Sequence, residues 1–218
     1  MKTYDTVIFD LDGTLLDTLE DLADAVNAIM RIYGFPERTL EEVRKFVGNG
    51  IRRLMELAVP EGVCGELFEQ VFEEFRTYYT AHCQVKTKAY AGVMPLLAQL
   101  KTQGISMAIV SNKNHGAVVE LNDIYFKEHI SVAIGQRDGI RKKPAPDTVF
   151  EALRMLGKEK AHALYVGDSE VDFMTAENAG MDCVLVRWGF RTEEELSAYN
   201  PVAMIDQPMQ LLEILGNV

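Results

Sequence analysis

The chain has 218 residues, 48% of them hydrophobic and 25% charged, an ordinary globular composition that excludes wholesale disorder. Its formal charge of −11 lacks the basic footprint of a duplex-binding protein, so no nucleic-acid partner is expected. An anionic substrate would require locally concentrated positive charge or a metal.

Thr6 to Phe9 (TVIF) is a short β-branched apolar run and reads as a buried strand. Similar runs recur at Ile105–Val110, Ser131–Ile134, Ala163–Val166 and Cys183–Val186. Apolar strands without alternation indicate a sheet covered on both faces, usually a parallel one. Helical patterns lie between the later runs: Val93–Lys101 before Gly104, Asp147–Leu156 before Gly157, and Asp172–Ala179 before Gly180. Each glycine stands where a helix C-terminus wants one. Strand–helix alternation of this kind predicts an α/β fold with a doubly wound parallel sheet.

The first strand breaks that rhythm, because residues 18–80 carry helix signals only. Thr18 with Asp21 resembles a capping box, and Leu22, Val26, Ile29, Met30 and Tyr33 then share one helical face. Thr39 with Glu42 caps a second helix, Ile51–Ala58 forms a third, and Leu67, Phe68, Val71, Phe72, Phe75 and Tyr79 mark a fourth. The expected organisation is an α/β core of residues 1–15 and 86–218, with a small helical cap inserted over 16–85.

Four segments carry candidate chemistry. Asp10-Leu11-Asp12-Gly13-Thr14 follows the first strand, where open α/β sheets bind their ligands. Ser111-Asn112-Lys113 ends the second predicted strand, and Gly167-Asp168-Ser169-Glu170-Val171-Asp172 ends the fourth. Asp10, Asp12, Asp168 and Asp172 around one crevice would repel strongly without a cation, and oxygen-only ligands suit Mg²⁺. The proline-bounded Lys143 loop (KKPAP) offers a lysine that can neutralise carboxylates and hold a phosphate.

In this order DLDGT at 10–14, strand-end Ser111, Lys143 in KPAP and GDSEVD at 167–172 resemble the haloacid dehalogenase-like (HAD) superfamily of phosphohydrolases, over essentially the whole chain. The resemblance implies a catalytic set of Asp10, Asp12, Ser111 and Lys143. Asp10 would attack phosphorus to form an aspartyl phosphate, and Asp12 would act as general acid and then base. Ser111 and Lys143 would grip the phosphoryl oxygens, with Gly13, Thr14 and Asn112 and the first loop's N–H groups around them. Mg²⁺ would be held by the Asp10 carboxylate, the Asp12 main-chain carbonyl and Asp168, with Asp172 acting directly or through water. Dehalogenases of this fold lack the second carboxylate, so Asp12 indicates phosphoryl chemistry.

Within the superfamily, Phe46-Val47-Gly48-Asn49-Gly50-Ile51 followed by Arg52-Arg53, and Val186-Arg187-Trp188-Gly189-Phe190, resemble the phosphoglycolate phosphatase group. Gly48, Asn49 and Gly50 would expose N–H groups to an anion, and Arg52 or Arg53 would pair with a substrate carboxylate. The bland reading of the same residues is a packing loop with solvated arginines. The expected activity is Mg²⁺-dependent hydrolysis of a small phosphorylated metabolite, 2-phosphoglycolate foremost. The alternatives are a pyrophosphatase or nucleotidase, or a sugar-phosphate mutase, of the same fold. A phospho-aspartate receiver, the alternative outside enzymes, fits poorly, because receivers carry their phosphorylated Asp on a later strand and have no helical insert.

Cys64, Cys83 and Cys183 have no CxxC spacing and fit reduced thiols, the start lacks a signal-peptide pattern, and no apolar stretch approaches the ~18 residues of a membrane span. A cytoplasmic protein without membrane partners is therefore expected; the sequence does not encode its oligomeric state, for which a monomer is the default.

Overall fold

A computed structural model describes residues 3–216. The strands are β1 (Thr6–Phe9), β2 (Leu16–Asp17), β3 (Lys88–Ala89), β4 (Ser106–Asn114), β5 (Val132–Gln136), β6 (Ala163–Gly167), β7 (Asp182–Val186) and β8 (Ala203–Ile205). Six form one sheet in the order β5-β4-β1-β6-β7-β8, with every neighbouring pair parallel. The predicted doubly wound sheet is present. The edge strand β8 was not anticipated, because three residues carry too little pattern to distinguish from a loop.

Strand β1 lies at the centre, flanked by β4 and β6. The chain builds outward to β5 on one side and then restarts at β6 on the other, so the order reverses beside β1. That reversal is where a crevice opens at the strands' carboxyl ends.

The unbroken apolar runs are explained by two separate cores. Val7, Phe9, Met107, Ile109, Leu164, Val166, Val184 and Val186 point to one face, against α5 (Val93–Thr102) and α6 (His115–Tyr125). Ile8, Ala108, Val110, Tyr165, Cys183 and Leu185 point to the other, against α7 (Asp147–Leu156) and α8 (Glu170–Ala179). Alternate residues of one strand therefore both find apolar cover, each large side chain adding ~1.5–3 kcal/mol of burial.

The chain divides into two compact units, one holding the chain up to Leu16 and from Ala89 onward, the other Asp17–Lys88. Strands β2 and β3 pair with each other where the chain passes between them. The second unit is helical: α1 (Leu19–Ile32), α2 (Leu40–Phe46), α3 (Ile51–Ala58) and α4 (Gly65–His82). Leu22, Val26, Ile29 and Met30 of α1 are buried, as are Phe68, Val71, Phe75 and Tyr79 of α4, and the two helices pack together. Leu67 is exposed, one position off the buried face of α4.

Local capping divides expectation from outcome. The Thr39–Glu42 capping box forms: the Thr39 hydroxyl accepts from the Glu42 N–H (3.2 Å), and Glu42 Oε2 accepts from the Thr39 N–H (2.8 Å). The Thr18–Asp21 box does not, since Thr18 makes no side-chain cap and its buried hydroxyl has no partner among the described residues. Asp21 instead accepts from the N–H groups of Lys86 and Thr87 (2.9 Å each) and the Thr87 hydroxyl (2.8 Å). A carboxylate that can end two backbone donors of a returning segment is worth more there than at its own helix end. Asp147, the first residue of α7, forms a two-pronged pair with Arg141, and Pro146 occupies the N-cap.

Candidate active site

Asp10 directly follows β1, and its N–H still donates to Val166 O of β6 (2.9 Å), so the site begins before the strand hydrogen bonding has ended. The chain then turns at Gly13. Gly13 N–H donates to Leu16 O (2.8 Å), and Leu15 and Leu16 N–H both donate to Leu11 O. The turn thus consumes the Gly13 N–H, while the N–H groups of Leu11 and Asp12 take no part in the turn's own bonds. Thr14 is fully buried and its hydroxyl has no partner among the described residues, while its carbonyl accepts from Trp188 Nε1 (3.0 Å).

Glycines set the spacing of the site. Gly13 has φ +93°, and a Cβ there would stand 2.3 Å from Asp168 Oδ2. At Gly167 a Cβ would stand 2.3 Å from the Asp172 Cβ and Cγ. Without these two glycines the β1 loop and the β6–α8 turn could not bring their carboxylates so close.

Asp10, Asp168 and Asp172 each place one oxygen within 4.8 Å of the others, and all three are buried. Lys143 reaches into this group: its Nζ donates to Asp10 Oδ1 (2.7 Å), Asp172 Oδ1 (2.7 Å) and the Tyr165 hydroxyl (3.2 Å). Burial pushes Asp10 well above the usual carboxylate range while Lys143 pulls it back. Asp168 is pushed up to about 7, by burial first and by the charge of Asp172 second. Burial works against the charge of Lys143, but Asp10 and Asp172 outweigh it and hold its pKa well above the ordinary lysine value. Burial also raises the Tyr165 hydroxyl.

Asp172 is saturated. Its Oδ1 accepts from Lys143 and from the Tyr165 hydroxyl (3.1 Å). Its Oδ2 accepts from Asp168 N–H (3.3 Å), Ser169 N–H (3.2 Å) and the Ser169 hydroxyl (2.6 Å). A carboxylate has about four acceptor sites, so this one has no lone pair to spare. Asp168 differs: among the described residues only its Oδ2 is engaged, by Phe190 N–H (2.7 Å).

The three carboxylates and one ammonium carry two net negative charges when all are ionised, packed where desolvation penalises each of them. A hard divalent cation fits that deficit and that all-oxygen donor set, with Asp10 and Asp168 as the side chains able to reach it.

Asn112 is engaged elsewhere than the sequence suggested. Its Oδ1 accepts from Lys143 N–H (2.8 Å) and its Nδ2 donates to Lys143 O (3.1 Å), which pins the Lys143 loop to the end of β4. Ser111 Oγ accepts from Lys113 N–H (3.1 Å), an arrangement that leaves its own proton for another acceptor. Three residues have no role assigned from the sequence: Lys113, which is paired with Asp12 (Nζ to Oδ1, 3.1 Å), and Tyr165 and Ser169, which complete the Asp172 network. The signals were present: a tyrosine inside an apolar strand needs a partner for its hydroxyl, and Ser-x-x-Asp is a capping pattern.

Gly48, Asn49, Gly50, Arg52 and Arg53 belong to the helical unit. Gly50 precedes α3 with φ +85°. Arg52 forms a two-pronged pair with Glu69 and lies over the Phe68 and Phe72 rings, 5.2 Å from each centroid, so it ties α3 to α4. Arg53 pairs with Glu56 at 3.0 Å.

A family model described as haloacid dehalogenase-like hydrolase matches residues 7–186, a span that runs from β1 to the end of β7 and includes every acidic residue of the cluster. The chain belongs to the haloacid dehalogenase-like hydrolase family. This hydrolase is 31% identical over 212 residues to a phosphoglycolate phosphatase of Aquifex aeolicus, covering 97% of this chain and 96% of that one. It is 36% identical to a phosphoglycolate phosphatase of Pseudomonas savastanoi pv. phaseolicola, covering 94% and 78%. A crystal structure of a candidate phosphoglycolate phosphatase from Lactobacillus delbrueckii subsp. bulgaricus superposes with a TM-score of 0.93 at 34% identity, over 99% of this chain and 100% of that one. Among the described residues no helix is long and apolar enough to cross a membrane.

Proposed function

We propose that this hydrolase is a divalent-metal-dependent phosphatase that cleaves 2-phosphoglycolate through an aspartyl-phosphate on Asp10. The observation that carries the reaction class is the buried cluster itself: a carboxylate at the end of the central strand, held by Lys143, beside a second carboxylate two residues on. The names of the relatives support the substrate.

Asp10 attacks phosphorus as the bond to the ester oxygen breaks, and Asp12 gives its proton to the departing alkoxide. Water then attacks the phosphorus of the aspartyl phosphate, Asp12 takes that proton, and phosphate and the free Asp10 carboxylate return. The Ser111 hydroxyl, the Lys143 ammonium and the N–H groups of Leu11 and Asp12 hold the phosphoryl oxygens. Asp10 and Asp168 would hold Mg²⁺ with the Asp12 carbonyl, while Asp172 and Asn112 fix Lys143 from its two ends. When bound, the cation supplies positive charge that offsets the carboxylates and the transferring phosphoryl group.

The test is phosphate release, with and without Mg²⁺, from 2-phosphoglycolate, pyrophosphate, nucleoside monophosphates and sugar phosphates. The expected result is Mg²⁺-dependent turnover with the highest kcat/KM on 2-phosphoglycolate, abolished by Asp10→Asn with the fold intact. A higher kcat/KM on pyrophosphate or a nucleotide discards the substrate. The absence of Mg²⁺-dependent release from every compound discards the reaction.

A further inference from the structure

We infer that Lys113 is the residue by which this enzyme recognises an anionic group on the substrate's leaving portion, so that the preferred substrates are phosphate esters of 2-hydroxy carboxylates. The inference rests on the reading of Asp12 as the acid that protonates the leaving oxygen.

Under that reading the Asp12 carboxylate lies within hydrogen-bond reach of the ester oxygen, about 2.7–3.2 Å. Lys113 Nζ stands 3.1 Å from the same carboxylate. In a phosphorylated 2-hydroxy acid the carboxylate is joined through one carbon to the ester oxygen, so its oxygens lie roughly 3 Å from that oxygen. A cation touching Asp12 can therefore meet the substrate carboxylate when the ester is turned toward it. An ammonium carries three N–H donors and can serve Asp12 and a second acceptor together.

Lys113 is built into this position. Its side chain is 5% exposed, an uncommon depth for lysine. It lies in an irregular stretch of β4, where the register with β5 shifts between Val110 and Asn114. Its N–H is held by Ser111 Oγ. Its carbonyl packs so closely on Gly135 that a Cβ there would approach it to 2.5 Å. Arg52 and Arg53, the other cations considered for a substrate carboxylate, are paired within the helical unit, Arg52 with Glu69 and two aromatic rings and Arg53 with Glu56. A lysine that only offset the charge of Asp12 would serve charged and neutral leaving groups alike, and that difference can be measured.

The experiment compares kcat/KM, with Mg²⁺, on 2-phosphoglycolate and on 2-hydroxyethyl phosphate, its neutral counterpart, for the wild type, Lys113→Met and Lys113→Arg. The wild type should prefer the carboxylate. Lys113→Met should lower the ratio of the two constants by about 10–100-fold, the worth of one charge-assisted hydrogen bond, chiefly through KM. Lys113→Arg should retain most of the ratio, which separates loss of charge from loss of fold. Glycolate, as product inhibitor, should weaken by a similar factor with Lys113→Met. Equal losses on both esters, or a wild type without preference between them, would overturn the role of Lys113 while the phosphatase reading stands. A wild type inactive on both esters and on the wider panel would instead remove the phosphatase reading and this inference with it.

Discussion

Replacing Asp172 by Asn probes how the site is held together. The substitution keeps the volume but converts one oxygen into a donor, in a place where five donors converge. The Ser169 and Tyr165 hydroxyls can rotate to accept, whereas Lys143 Nζ and the N–H groups of Asp168 and Ser169 cannot. In the best arrangement the remaining oxygen faces the two backbone N–H groups and the new amide faces Lys143. The buried Lys143–Asp172 pair is then lost. Breaking one partner of such a pair costs about 3–5 kcal/mol, less the relief of repulsion that Asp172 exerts on Asp10. The expected net loss is about 3 kcal/mol, or roughly 6–12 °C in Tm for a chain of this size. Urea and thermal unfolding measure it, with an Mg²⁺ titration of activity alongside. Activity should fall because Lys143 loses its aim, while the apparent Mg²⁺ affinity changes by less than about tenfold. A stability loss under about 1 kcal/mol, together with an Mg²⁺ affinity weakened more than about a hundredfold, would refute this reasoning and make Asp172 a metal ligand.

Three further expectations follow from the same geometry. Gly13→Ala drives a Cβ to 2.3 Å from Asp168 Oδ2 at φ +93°, so it should cost about 2 kcal/mol or more and weaken Mg²⁺ activation; wild-type values for both would show that the loop yields freely. Asp168, at about 7 against an ordinary 3.8, keeps a proton in the folded chain that the unfolded chain releases. Metal-free stability should therefore fall as pH rises from about 4 to 7, and Mg²⁺ affinity should drop about tenfold per pH unit below 7. Thermal shifts with and without Mg²⁺ at several pH values decide this, and a pH-independent Mg²⁺ shift would contradict it. Asp21→Ala removes the acceptor of the Lys86 and Thr87 N–H groups and should destabilise the helical unit by about 2–3 kcal/mol, read from helical ellipticity during urea unfolding; an unchanged midpoint would show that water replaces the carboxylate without cost.

What the sequence alone determined is the part of the protein that local pattern encodes. ALYV and CVLV are apolar at every position and TVIF at every position but Thr6, and only a strand covered on both faces has use for that, so the parallel sheet was legible from composition within each run. Asp10, Asp168 and Asp172 were legible because each stands at a strand end or the first turn of the helix after it, where the fold type itself places ligands. Thr39 with Glu42 was legible because both partners of the cap lie within four residues.

The tertiary structure decided what depends on a partner distant in the chain. Asp21 looked like a helix cap and became the acceptor for residues 65 and 66 positions away. Asn112 looked like a ligand for phosphate and became the clamp on a loop 31 residues on. Strand β4 runs past Val110 to Asn114, carrying Lys113 to Asp12 across 101 residues of sequence. A short polar side chain has several hydrogen-bond partners of nearly equal worth within its reach. Which one it takes is settled by which distant donor would otherwise be buried unpaired, and that is known only once the layers have packed.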